Sequence, residues 1–240
     1  MHRVIPVLSL SKGDLVKTVR FKNERYLGDP INALKIFNEK EVDEIYIQDI
    51  KASVSGAEPD FGLIAELASE AFMPLSYGGG VSSIQQIERL LKCGIEKVSL
   101  NTAVTSNPEL ISQATKVFGA QAIIVALDIK RNFFNRIRIK NYSSKSNLGE
   151  ILNFLVNNGV GEIIINSIDR DGTMTGVDTE LITYCAERLD IPFTYVGGVS
   201  SVEDIRDSKQ AGASGTGVGS FFVYNGPKKA MLISYQNIED

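Results

Sequence analysis

The sequence is poor in cysteine, in clustered positive charge and in long apolar runs. Its two cysteines, Cys93 and Cys185, stand far apart in helical patterns. With no secretory leader in view, they read as buried thiols of a protein kept in a reducing cytoplasm. Lys and Arg number 25 against 29 Asp and Glu, for a formal net charge of −4. The basic residues gather nowhere, which argues against wholesale nucleic-acid or membrane-surface binding and leaves room only for a local basic pocket. No apolar run approaches the roughly 18 residues that span a bilayer. No linker, low-complexity stretch or change of composition divides the chain, so residues 1–240 are expected to form a single domain. No pattern of metal or cofactor binding stands out, and none is expected.

What is present is alternation. Short Val- and Ile-rich runs occur at "RVIPVL", "EIYIQDI", "PLSYGG", "KVSLN", "AIIVALD", "EIIINSI", "PFTYVGG" and "GTGVGS". Continuous apolar runs of this kind suit strands covered on both faces, as in a parallel sheet. Amphipathic segments of helical length lie between them, such as "DPINALKIFNEK" and "SSIQQIERLLKCG". Asp29 and Pro30 mark a helix start, and Gly94 and Gly212 mark helix ends. Eight strands with seven or eight helices predict a (β/α)8 TIM barrel, and 240 residues is an ordinary length for one. The segments from about Ser9 to Gly28 and from about Lys130 to Gly149 are expected to be long loops over the C-terminal mouth, of the kind that act as lids.

The pentapeptide "GGVSS" occurs at Gly79–Ser83 and again at Gly197–Ser201, 118 residues on. "EIYIQDI" and "EIIINSI" are separated by the same 118, and "VIPVLS" matches "IIVALD" at 119. The chain therefore reads as two four-strand half-barrels fused head to tail. Each half brings a Gly-Gly turn to the mouth, where backbone can approach a ligand closely and a following helix offers free N–H groups. Ser82, Ser83, Ser200 and Ser201 add hydroxyls or cap those helices. Gly80 with Asn101 and Thr102, and Gly198 with Gly219 and Ser220, form two candidate phosphate sites; the alternative is a pair of ordinary capped turns. Between them lie strand-end carboxylates, Asp49, Asp128, Asp169 and Asp171, any of which can act as acid or base. In "DRDGT" the acids next to Gly172 and Thr173 are also ordinary turn formers.

The motifs "RVIPVL", "GDP", "YGGGVSS", "KVSLNTA", "VALDIKR" and above all "SIDRDGTMTG" resemble the cyclase subunit family of imidazole glycerol phosphate synthase, from Arg3 to about Tyr224. The resemblance implies a partner glutaminase on the N-terminal face, ammonia passing through the barrel, and a bisphosphate or nucleotide-linked substrate at the mouth. It implies Asp128 as general base and Lys17 as a substrate-contacting lysine. Gly80, Asn101 and Thr102 fall on one phosphate site, Gly198, Gly219 and Ser220 on the other, and Asp49, Asp171, Gly172 and Thr173 on substrate-contacting positions. Arg3, Glu44, Lys97 and Glu162 each precede a strand, so they ring the opposite opening. Their charges sum to zero and can pair, where strand-edge charges would otherwise be merely solvated; the resemblance makes them an ammonia gate.

One departure matters. The repeat aligns Ser9 with Asp128, at the place where the family carries its second catalytic carboxylate. A serine hydroxyl cannot replace a carboxylate as proton carrier near neutral pH. Asp14 stands nearby but within the loop. Val196, in place of a small polar residue, and the short end after Tyr224, which predicts a short or missing eighth helix, also depart. With "VKTVRFKN" and "AMLISYQ" they resemble a divergent branch that supplies ammonia for turning an N-acetyl group into an acetamidino group on nucleotide-linked sugars of surface polysaccharide, beside a third amidotransferase subunit. The histidine-pathway cyclase and a catalytically silent scaffold that activates a glutaminase are the two other readings.

Overall fold

The computed structural model describes residues 2–133, 136–226 and 230–235. The first half runs β1 (Arg3–Ser11), β2 (Asp14–Val19), β3 (Lys22–Gly28), α1 (Pro30–Asn38), β4 (Ile45–Asp49), α2 (Ala52–Ser55), α3 (Phe61–Glu70), β5 (Leu75–Gly78), α4 (Ile84–Lys92), β6 (Lys97–Leu100), α5 (Thr102–Ser106) and α6 (Glu109–Phe118). The second runs β7 (Ile123–Arg131), β8 (Ile137–Ile139), α7 (Leu148–Asn157), β9 (Glu162–Ser167), α8 (Thr179–Ala186), β10 (Phe193–Val196), α9 (Val202–Gln210), β11 (Gly215–Val218) and α10 (Ser220–Val223). Helix starts follow the capping chemistry in the sequence. Asp29 accepts from Ile31 N–H with Pro30 in the first turn, and Ser83 and Ser201 cap α4 and α9.

Eight parallel strands, β1, β4, β5, β6, β7, β9, β10 and β11, pair in that order, and β11 returns to β1 to close the barrel. The fold is a (β/α)8 barrel. Its registers carry the repeat: Ser9 pairs with Gln48 as Asp128 pairs with Asn166, and Gly78 pairs with Ser99 as Val196 pairs with Gly217. The main core lies between strands and helices, where Ile45, Leu90, Ile123, Leu152 and Ile205 are wholly buried. A smaller apolar cluster fills the bore: Ile5, Val7, Tyr46, Ile124, Ala126, Ile164 and Val196.

Three expectations are corrected. The segment after Ser9 is no loose loop: β1 continues to Ser11, and β2 and β3 form an antiparallel hairpin upon it. The four central residues of "DLVKTV", Leu15 to Thr18, are buried, and a turn at Gly13 folds them back along β1. The segment after Lys130 similarly forms β8 against β7, with Ile129 opposite Ile139. Cys185 is buried as expected, but Cys93 is only half-buried.

Among the described residues, the helix that follows the eighth barrel strand is short. After the four-residue α10 comes a small pairing of β12 (Tyr224–Asn225) with β13 (Ala230–Met231). Phe222 and Tyr235, with ring centroids 5.1 Å apart, help to cover α1 at Phe37. The rest of the terminal "NGPKKAMLISYQNIED", at 227–229 and 236–240, lies outside the described residues. Among the described residues no helix is long and apolar enough to cross a membrane.

Candidate functional site

Two ends of the barrel carry chemistry. At the N-terminal end Arg3, Glu44, Lys97 and Glu162 close into one ring. Arg3 reaches Glu44 at 2.7 Å and Glu162 at 2.6 Å, while Lys97 reaches Glu44 at 2.8 Å and Glu162 at 3.1 Å. Each cation touches both anions, and Thr194 Oγ1 adds a hydrogen bond to Glu162 at 2.7 Å. Burial alone would raise the Glu162 carboxyl; the bonds and charge of Arg3 and Lys97 outweigh it and hold the group below its ordinary value. Above the ring lies an internal cavity of about 10 Å3, lined by Glu44, Glu162, Thr194, Ile5, Ile124 and Ile164 among others. That is room for roughly one water molecule.

At the C-terminal end a pocket of about 400 Å3 opens. Ser9, Lys17, Asp49, Gly80, Asn101, Thr102, Asp128, Asp171, Gly172, Gly198, Gly219 and Ser220 all line it. Thr173 does not: its hydroxyl is spent within its own turn, on Arg170 O at 2.8 Å. Asp128, on β7, is 5% exposed and accepts from Asn101 Nδ2 at 3.1 Å and Asn166 Nδ2 at 3.2 Å. Burial raises its carboxyl above the ordinary range, against the pull of Lys140 at 3.9 Å and of the two amides. Asp171 is raised by burial too, against Lys17, Phe21 N–H and the Thr18 hydroxyl. Lys17, on β2, donates to Val7 O at 3.0 Å and lies over Gly219, in the space a side chain there would fill. Burial lowers its ammonium pKa, and the Asp171 charge opposes that shift.

The Gly-Gly turns match across the repeat. Gly79 and Gly197 have φ of 126° and 124°, and a Cβ would come within 2.5 Å of Asp49 O or 2.9 Å of Ser167 O. The helices after them are not the free donors that the sequence promised. Gln86 accepts Ser82 N–H at 2.8 Å, and Asp204 accepts Ser200 and Ser201 N–H at 2.8 and 3.0 Å. Side chains three or four residues on have capped those amides. The open donors are instead the first-turn amides of α5 and α10, at Thr102 and Ser220, beside Gly80 and Gly198.

The model of the family described as "Histidine biosynthesis protein" matches residues 3–227. A Leptospira interrogans protein, provisionally named imidazole glycerol phosphate synthase subunit HisF, is 43% identical over 99% of this chain and 96% of its own. A Vibrio vulnificus protein with the provisional name of subunit hisF3 is 45% identical over 97% of this chain and 92% of its own. The chain belongs to the HisF-type histidine biosynthesis proteins. The HisF subunit of Exiguobacterium sibiricum is 34% identical over 92% of this chain and 90% of its own.

Within this HisF-type barrel two acids have structural duties. Asp49 caps α2 through Lys51 and Ala52 N–H at 2.8 and 2.9 Å, although it also faces the pocket. Asp169 holds Arg131 N–H at 2.6 Å. Ser9, 8% exposed, stands on β1, diametrically across the closed sheet from Asp128 on β7. Asp14 sits at the exposed start of β2, away from the pocket lining. Sequence reasoning missed Gln48, Asn166, Lys140 and Tyr46, which also line the mouth. The repeat could have found the first two, since Gln48 and Asn166 pair with Ser9 and Asp128. Asn166 Oδ1 is buried with no hydrogen-bond partner, because its Nδ2 is turned to Asp128.

Proposed function

We propose that this HisF-type chain is the ammonia-using barrel subunit of a glutamine amidotransferase. A glutaminase sits on the N-terminal face and releases ammonia beneath the ring. Phe72 and Val117, exposed on or beside the connections into β5 and β7 at that same end, offer it apolar contact. When Arg3 and Lys97 shift from their carboxylates, ammonia enters the apolar bore and rises to the mouth. The observation that carries this reading is the closed four-charge ring beneath an internal cavity in line with the Asp128 pocket. A ring of alternating charge that seals a bore has a purpose if something small must pass.

At the mouth, the Gly80–Thr102 and Gly198–Ser220 sites take the phosphates of a bisphosphate or nucleotide-linked ligand, with Lys17 over the second. Asp128, its carboxyl pushed up by burial, exchanges protons as the nitrogen joins the ligand. Ser9 supplies no partner carboxylate. That favours the branch acting on nucleotide-linked sugars of surface polysaccharide, where a third subunit completes the conversion of N-acetyl to acetamidino. The second reading, a histidine-pathway cyclase, draws on Asp128 and Lys17.

One assay separates the two: turnover of the histidine-pathway bisphosphate with ammonium salts by wild type, Ser9→Asp and Asp128→Asn. The proposal expects feeble wild-type turnover, improved by Ser9→Asp and abolished by Asp128→Asn. Wild-type turnover equal to that of an ordinary HisF subunit transfers the chain to the histidine pathway.

A further inference from the structure

Three positions at one level of the bore break the repeat together. Tyr46, Gly78 and Ser99 stand where the second half has Ile164, Val196 and Gly217, each 118 residues on. The registers are equivalent, since Tyr46 pairs with Ser76 as Ile164 pairs with Thr194. In the first half, an aromatic ring on β4 is matched by the loss of a side chain on β5 and a hydroxyl on β6. A Cβ at Gly78 would lie 2.8 Å from the Tyr46 hydroxyl and 3.0 Å from Ser99 Cβ. Glycine is therefore the recess that takes the end of the ring. In the second half the recess has moved: a Cβ at Gly217 would meet Val196 Cγ2 at 2.6 Å.

Tyr46 is 5% exposed, and its hydroxyl donates to Ser99 Oγ at 3.2 Å. That is long for a hydroxyl–hydroxyl bond, so the hold is weak. Tyr46 lines both the small cavity above the charge ring and the open mouth pocket, as do Val7, Val196 and Gly217. These four form the partition between the two spaces, and Tyr46 is its one large side chain.

We propose that Tyr46 is an inner door of the bore, latched by Ser99 and seated in the recess at Gly78. The proposal rests on the conduction reading above and gives the passage a second barrier. The charge ring faces the glutaminase; the tyrosine faces the ligand. An occupant of the mouth that displaces the ring opens the last stretch of the bore, so delivery of ammonia waits for its acceptor.

The test is xenon, an apolar probe of buried voids, in pressurised crystals of the full chain. Tyr46→Ile, which copies Ile164 from the other half, should gain a xenon atom bounded by Val7, Ile164 and Val196 that wild type lacks. Ser99→Ala removes only the latch and should gain the same site at lower occupancy; it also keeps the test alive if Tyr46→Ile fails to fold. Xenon filling the wild-type bore as fully as the variants, or entering neither variant, overturns the door. The measurement needs neither partner nor acceptor, so a failure to find any glutaminase counts against conduction and leaves the xenon result standing.

Discussion

Glu162→Gln is the sharpest perturbation of the ring, because one side chain there holds Arg3, Lys97 and Thr194 at once. The change leaves two cations facing Glu44 alone. Removing one partner of a fully buried ion pair costs about 3–5 kcal/mol. Here Arg3 and Lys97 keep 24% and 22% of their side-chain surface exposed, and the glutamine oxygen still accepts hydrogen bonds. The expected loss is therefore about 1–3 kcal/mol, or about 2–12 °C in Tm for a chain of this size. The pH dependence has a definite sign. The Glu162 carboxyl lies below its ordinary value in the folded chain. Its stabilising contribution is thus complete above the unfolded-state pKa and disappears as pH falls through the folded-state pKa. Urea unfolding of wild type and variant at about pH 7 and about pH 3 measures the gap. The gap should be wide at the first pH and narrow at the second. An unchanged stability at neutral pH, or a gap that ignores pH, refutes the ring as a coupled electrostatic unit.

Asp128→Asn should abolish activity, typically by about 10²–10⁴-fold, yet leave Tm at neutral pH equal or higher, since burial disfavours the charge it removes; a fall in Tm would mean that the carboxylate is structural. Crystals grown in sulfate should show one anion near Thr102 and another near Ser220, and an anion-free rim would contradict the paired phosphate sites. Lys97→Glu should weaken co-purification of the glutaminase or uncouple glutamine hydrolysis from ammonia use, and an unaffected, fully coupled complex would contradict the placement of that partner.

Much of this molecule was legible in its sequence because it is a repeat. The offsets of 118 and 119 reappear as register: Ser9 opposite Gln48, Asp128 opposite Asn166. Their positions at strand starts are enough to put Arg3, Glu44, Lys97 and Glu162 at one end of the barrel. The β2–β3 hairpin was missed because its outer strand, "KNERYLG", is almost wholly exposed and carries no apolar period. The sealing of Ser82 and Ser200 by Gln86 and Asp204, each four residues on, is written in the spacing, but the same residues also suit the exposed face of a helix's first turn. Tyr46 was hidden for another reason. In "EIYIQDI" a tyrosine is one more β-former, and only its pairing with an empty place at Gly78 gives it a role.

The central claim, that ammonia made by a partner reaches the mouth through this barrel, is most directly tested by isotope competition. The complex of the chain with its glutaminase is given glutamine labelled with 15N at the amide, an excess of unlabelled ammonium in the medium, and the acceptor. The account predicts a product that carries 15N despite the excess, with the label lost when Lys97→Glu opens the ring to solvent. A product whose nitrogen simply follows the composition of the medium would contradict it.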